Sequence, residues 1–219
     1  MIAYCDDDVL YYPGWLEKHL EILDTYPDVG MVSGAPVGYS SEHAFKSVSA
    51  FQEREVDNLQ VKTQERNPDW ERDWALSTGR DAVEHLGKIK ETPHISMEYR
   101  GIRAIKAAKH FQFVTPKKII LQALGSDWPS SLMDGLVELD EAVDQAGYLR
   151  LTTVDRTARH IGNTINSDIS QEIDRLGIQV KVSTKVVEEK EHWILKIPGS
   201  GRILWPLYRW LFNVLHKVK

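Results

Sequence analysis

The chain has 219 residues, 42% hydrophobic and 27% charged, which is enough to bury one sizeable core and too apolar for a chain dominated by disorder. Its net charge is −5, and because Arg202, Arg209, Lys217 and Lys219 lie in a tail without acids, residues 1–201 carry −9, a poor electrostatic partner for nucleic acid. No run reaches the roughly 18 apolar residues of a spanning helix and residues 1–6 do not read as a signal peptide; the single cysteine, Cys5, excludes an internal disulfide and suits a reducing, cytoplasmic setting.

In chain order, Ile2–Cys5 is a short apolar run that stops at Asp6, Asp7 and Asp8, and is expected to be a buried strand entering an acidic loop. Residues 15–26 predict an amphipathic helix with Leu16, Leu20 and Leu23 facing the core, stopped by Pro27. Residues 30–37 read as an apolar strand, completing one βα unit of an α/β sheet. Phe45, Val48, Phe51, Val56 and Leu59 suggest a second helix over residues 43–61, and the polar stretch around Trp70 and Trp74 has no firm pattern. Residues 94–115 carry strand-like runs, including His110-Phe111-Gln112-Phe113-Val114, before Pro116 and a helix over 117–124. A helix over 132–146 places Leu132, Leu136, Leu139 and Val143 on one side and its acids elsewhere, with Gly147 as its stop. Residues 148–153 form the next strand, leading through Asp155 to His160-Ile161-Gly162-Asn163 and a short helix over 167–176. Alternation in Ile178, Val180 and Val182, and again in Trp193, Leu195 and Ile197, suggests two more strands.

The sharpest chemical feature is the aspartate cluster at the end of an apolar strand, where open α/β sheets bind ligands. Asp6 and Asp8 can grip one Mg²⁺ or Mn²⁺, directly or through water, and leave positions for diphosphate oxygens. The bland alternative is an acidic turn ahead of the helix near Trp15. His110 reads as a core histidine, Cys5 as a buried strand residue, and Trp15 and Trp128 as core more than as sugar platforms.

Tyr4-Cys5-Asp6-Asp7-Asp8-Val9, followed by Tyr12-Pro13-Gly14-Trp15-Leu16, resembles the Asp-x-Asp region of family 2 glycosyltransferases. Pro27-Asp28-Val29-Gly30-Met31-Val32-Ser33-Gly34, Ala146-Gly147-Tyr148 and His160-Ile161-Gly162-Asn163 extend the match in the family's order, over roughly residues 1–165 and weakly in 65–108. The resemblance implies a GT-A-like mixed sheet with flanking helices in a partial domain over 1–170; the residue patterns beyond it divide the rest into accessory strands over 171–201 and an amphipathic basic helix over 202–219. It implies transfer of a sugar, with inversion, from a nucleotide-diphosphate sugar to a glycan or lipid-linked acceptor. Asp6, Asp7 and Asp8 would hold the donor, and Asp6, Asp8 and His160 a divalent cation, Mg²⁺ or Mn²⁺. The chain departs from the family where the catalytic acid is expected, because Leu136 stands there; Asp134, Glu138 and Asp140 are the nearest acids, the first two sharing a helix face at i, i+4.

In that family several βα units precede the Asp-x-Asp segment. Their absence before Asp6 predicts an open sheet edge prone to pairing or self-association, and weak catalysis by this chain alone. In the tail, Arg202, Pro206, Arg209, Asn213 and His216 form a thin polar stripe beside a broad apolar face, which suits a peripheral position on a membrane surface or packing on the body. Two rival readings remain from the residues themselves: a non-catalytic relative that binds a partner or a membrane, and another metal-dependent nucleotide enzyme such as a nucleotidyltransferase.

Overall fold

The computed structural model gives, in chain order, β1 (Ile2–Cys5), β2 (Val9–Tyr11), α1 (Trp15–Thr25), β3 (Val29–Ser33), α2 (Lys46–Arg54), β4 (Leu59–Gln64), α3 (Pro68–Ser77), α4 (Ala82–Ile89), β5 (His94–Tyr99), β6 (Ile102–Lys106), β7 (Gln112–Thr115), α5 (Lys117–Ala123), α6 (Leu136–Gln145), β8 (Leu149–Thr153), β9 (Ala158–His160) and α7 (Ser167–Arg175). It describes residues 1–38, 45–124, 136–162, 165–178, 206–207 and 210–211. The expected strands around 178–182 and 193–197, Asp134, Trp128 and most of the tail lie outside the described residues.

Seven strands make a mixed sheet in the order β1-β7-β3-β8-β6-β5-β4, and β2 pairs with β9 in a separate two-stranded sheet. The architecture is therefore mixed α/β, as the sequence predicts. Strands β3 and β8 are parallel, while β7 runs antiparallel to both β1 and β3. It follows that β1, β3 and β8 point the same way, and that the loops after them emerge at one end of the sheet.

The central pair β3 and β8 is buried along its whole length, as strands covered on both faces are. The period of two sends neighbouring residues to opposite layers. Val32 joins Ile22 of α1, Phe51 of α2 and Leu151 on one face, whereas Met31 joins Phe113, Ile119 of α5, Leu139 and Val143 of α6 on the other. Gly147, at φ 84, ends α6 in the left-handed region that glycine enters freely.

Several expectations change. Strand β1 is not buried: Ala3, Tyr4 and Cys5 are exposed, because β1 is the sheet's edge strand and pairs with β7 alone. Helix α1 presents His19, Ile22 and Tyr26 to the core, one residue round from the leucine face, and Leu16 is exposed. The rotation follows from His19, whose ring is held by the Trp15 carbonyl and the Gln112 side chain and so fills an interior position. The second helix ends at Arg54, and Leu59 and Val61 belong to β4. Residues 65–93 fold as α3 and α4, each started by a side-chain cap: Asn67 accepts from the N–H groups of Asp69 and Trp70, with Pro68 in the first turn, and Asp81 accepts from Glu84. Strands β4, β5 and β6 pair antiparallel side by side, β4 reaching β5 through α3 and α4, and the tight turn from β5 to β6 uses Arg100 and Gly101 at φ 51 and 82, the primed-turn geometry of hairpins. In the tail, Pro206, Leu207, Trp210 and Leu211 are helical and exposed, and among the described residues no helix is long and apolar enough to cross a membrane.

Candidate active site

The acidic loop is tied down at two points. The Asp6 N–H donates to the Phe111 carbonyl at 2.8 Å, and the Ile161 N–H donates to the Asp8 carbonyl at 2.9 Å. Between them β2 pairs with β9 in antiparallel register, Val9 opposite His160 and Tyr11 opposite Ala158. This small clasp brings together residues that are 152 positions apart: His160 Nε2 lies 3.2 Å from Asp8 Oδ2.

His160 is held from the other side as well. Its Nδ1 is 3.0 Å from the Ser77 hydroxyl at the end of α3, and its ring meets Phe111 edge-on at 5.3 Å between centroids. Gly162, at φ 71, passes so close to α3 that an added Cβ would stand 2.7 Å from the Ser77 carbonyl oxygen. A fixed second-nitrogen contact of this kind is what orients imidazoles that bind metals.

Asp6 accepts a hydrogen bond from the Tyr4 hydroxyl at 3.1 Å. Partial burial raises its carboxyl above the usual range; the Tyr4 bond opposes that, Asp8 adds to it, and the imidazoles of His160 and His110 pull it back. An acid pushed up by burial and by a neighbouring carboxylate is one that gains from a cation. Asp7 is exposed. Among the described residues no three of His, Cys, Asp or Glu converge to form a metal cage. The Asp8–His160 pair with Asp6 beside it is sparser than such a cage.

The acids expected to take the proton separate. Glu138 is exposed in the first turn of α6. Asp140 is buried, with Oδ1 2.7 Å from Arg150 Nη2 and Oδ2 3.2 Å from His110 Nδ1. The reading that set the acids of this helix on its solvent side is thus corrected for Asp140, and also for Asp144, which is buried and caps α2 through the Ser47 and Lys46 N–H groups. Both are inward because each has partners there. His110 is corrected in turn: 37% of its side chain is exposed, so it is a surface imidazole leaning on a buried acid and not a core residue. Its sequence signal is its place just ahead of β7, which brings it to the same end of the sheet as the acidic loop.

A second carboxylate–imidazole pair lies under α3. Glu71 is wholly buried, 2.8 Å from His85 Nε2, 2.9 Å from Arg66 Nη1, and accepts from the Gly38 N–H at 2.8 Å. No family model, curated protein or solved structure matches the chain, so the site must be read from its own residues.

Proposed function

We propose that this chain is a GT-A-type domain, akin to family 2 glycosyltransferases, that takes part in moving a sugar with inversion from a nucleotide-diphosphate donor to a glycan or lipid-linked acceptor. The observation that carries the reading is the contact of Asp8 with His160 where the β2–β9 clasp closes over the carboxyl end of β1. Asp6, Asp8 and His160 would hold Mg²⁺ or Mn²⁺, which when bound neutralises charge on the departing diphosphate. Asp6, Asp7 and Asp8 form the loop that meets the donor.

Removal of the acceptor hydroxyl's proton falls to His110: with Nδ1 donating to Asp140, its Nε2 is the nitrogen left for the hydroxyl. Asp140 then acts by positioning, and Glu138 is the other described acid able to meet a substrate directly. The exposed apolar residues Leu207, Trp210 and Leu211 support a peripheral contact of the tail with a membrane surface. The sparse ligand set supports a second reading, a non-catalytic binding module that keeps the fold.

Calorimetric titration of Mn²⁺ with UDP into the chain, repeated on Asp8→Ala, separates the two. Metal-dependent UDP binding that disappears in the variant is expected. Absence of binding in both proteins rejects the transfer reading in favour of the second.

A further inference from the structure

The loops after the parallel strands β3 and β8 frame a cleft of about 260 Å³, closed by the end of β4, the start of β5 and the first turn of α3. It sits where ligands enter open sheets, at the carboxyl ends of parallel strands. The side chains that matter are Gln64, Asn67, Trp70, His94 and Asp155.

Their chemistry narrows the occupant. Amides, a carboxylate and an imidazole suit hydroxyl groups and do not suit an apolar ligand. An anion is disfavoured, because Glu65 and Asp155 also face the cleft and Arg66 is committed elsewhere: its Nη1 donates to Gly38 O and Glu71 Oε1, and its Nε to Thr92 O. His94 stays neutral, since burial, followed by the nearby Arg66, lowers it to about 4. Its Nε2 donates to the Pro36 carbonyl at 3.0 Å, which leaves Nδ1 as an acceptor.

Trp70 supplies a flat, immobilised ring. It packs on the cluster of Ala35, Val37 and Phe111, and the Arg156 guanidinium lies 5.6 Å from its centroid and 5.7 Å from that of Tyr12 while pairing with Asp73 at 2.6 Å. A rigid indole beside amide, imidazole and carboxylate partners for hydroxyl groups is a platform for the apolar face of a sugar ring. The volume falls just short of the ~300–1,000 Å³ usual for drug-sized ligands, so it suits one ring and not a nucleotide sugar.

Position adds the last step. From β1 to β8 there are three strand spacings, roughly 14 Å at ~4.8 Å each. Val9, next to Asp8, packs on the same apolar cluster as Trp70, so the two places share one support. The geometry points to this cleft as a subsite for one ring of a neutral oligosaccharide, and, resting on the proposed transfer reaction, it makes the acceptor a glycan chain whose distal unit is held here while its end reacts at Asp8.

The test is a printed panel of neutral oligosaccharides of one to six units, with hexose and N-acetylhexosamine backbones, probed with the full chain. Retention of chains of three or more units is expected, with single sugars bound far more weakly. Trp70→Ala should abolish it; since that change also disturbs the apolar cluster, the surface variant Gln64→Ala/Asp155→Ala serves beside it and should weaken retention roughly tenfold or more. No retained glycan, equal retention of single sugars, or retention unchanged in the cleft variants overturns the assignment. Glycan retention by a chain that binds no Mn²⁺ and UDP keeps the cleft and sinks the transfer reading; the reverse result sinks the cleft alone.

Discussion

Glu71 and Asp8 each meet a histidine, and the two pairs differ in everything else. Glu71 has both oxygens engaged, by Arg66, His85 and a backbone N–H, and is fully buried. Asp8 keeps 18% of its side chain in solvent, with His160 at 14%, and sits in a loop at the sheet's edge. A satisfied, enclosed pair holds a fold together, because its charges have nowhere else to go. A half-open pair beside a second acid, Asp6, retains lone pairs for something that arrives from outside. The contrast teaches that a carboxylate near an imidazole becomes a candidate site only through the coordination it leaves unused.

The comparison can be broken most forcefully at Glu71. Glu71→Ala strips Arg66 of its buried counter-charge and should cost about 3–5 kcal/mol, a fall on the order of 10 °C in a thermal melt for a domain of this size. A loss under about 1 kcal/mol would show that the pair is not structural.

His94, next to that group, sharpens the point through pH. Burial, followed by the nearby Arg66, lowers it in the folded chain to about 4 from the ordinary 6.5 of a solvated imidazole, so the unfolded chain takes up the proton first. The stability it contributes is complete above about pH 6.5 and drains away as pH falls towards 4, by up to about 3 kcal/mol. Urea midpoints measured from pH 7 to 4.5 should decline, and the slope should flatten in His94→Asn; an unaltered slope assigns the acid sensitivity to another group.

The smallest effect on stability is expected at the open pair. Asp8→Asn should change unfolding free energy by no more than about 1 kcal/mol while removing Mn²⁺-dependent nucleotide binding. A large loss of stability with binding retained would reverse the roles assigned to the two pairs.

Much of the scaffold was readable from the residues. Val29–Ser33 is an apolar run and Leu149–Thr153, set between Gly147 and Asp155, holds two leucines and two β-branched threonines, so both read as strands, and Leu139, Val143 and Gly147 mark the core side and the end of α6. The clasp was not readable, because β2 and β9 have three residues each and become strands only through each other. The nearness of His160 to Asp8 therefore came from the family resemblance, and the ladder supplies its physical basis. Asp140 was misplaced because a helix-period argument assigns charge to the outside, and only the fold shows Arg150 and His110 waiting inside. The starts of α3 and α4 were present as Asn67-Pro68 and Asp81, capping signals that the apolar pattern of a half-exposed helix pair drowned out.

Helix α3 carries Trp70 at one end, Asp73 in the middle and Ser77 at the other. Trp70 borders the cleft, Asp73 grips Arg156 and Arg159, and Ser77 touches His160. Seven residues of helix span about 10 Å and bend little, so the helix works as a ruler laid between the two places. The distance between the cleft wall and the imidazole's anchor is thereby set by two turns of backbone.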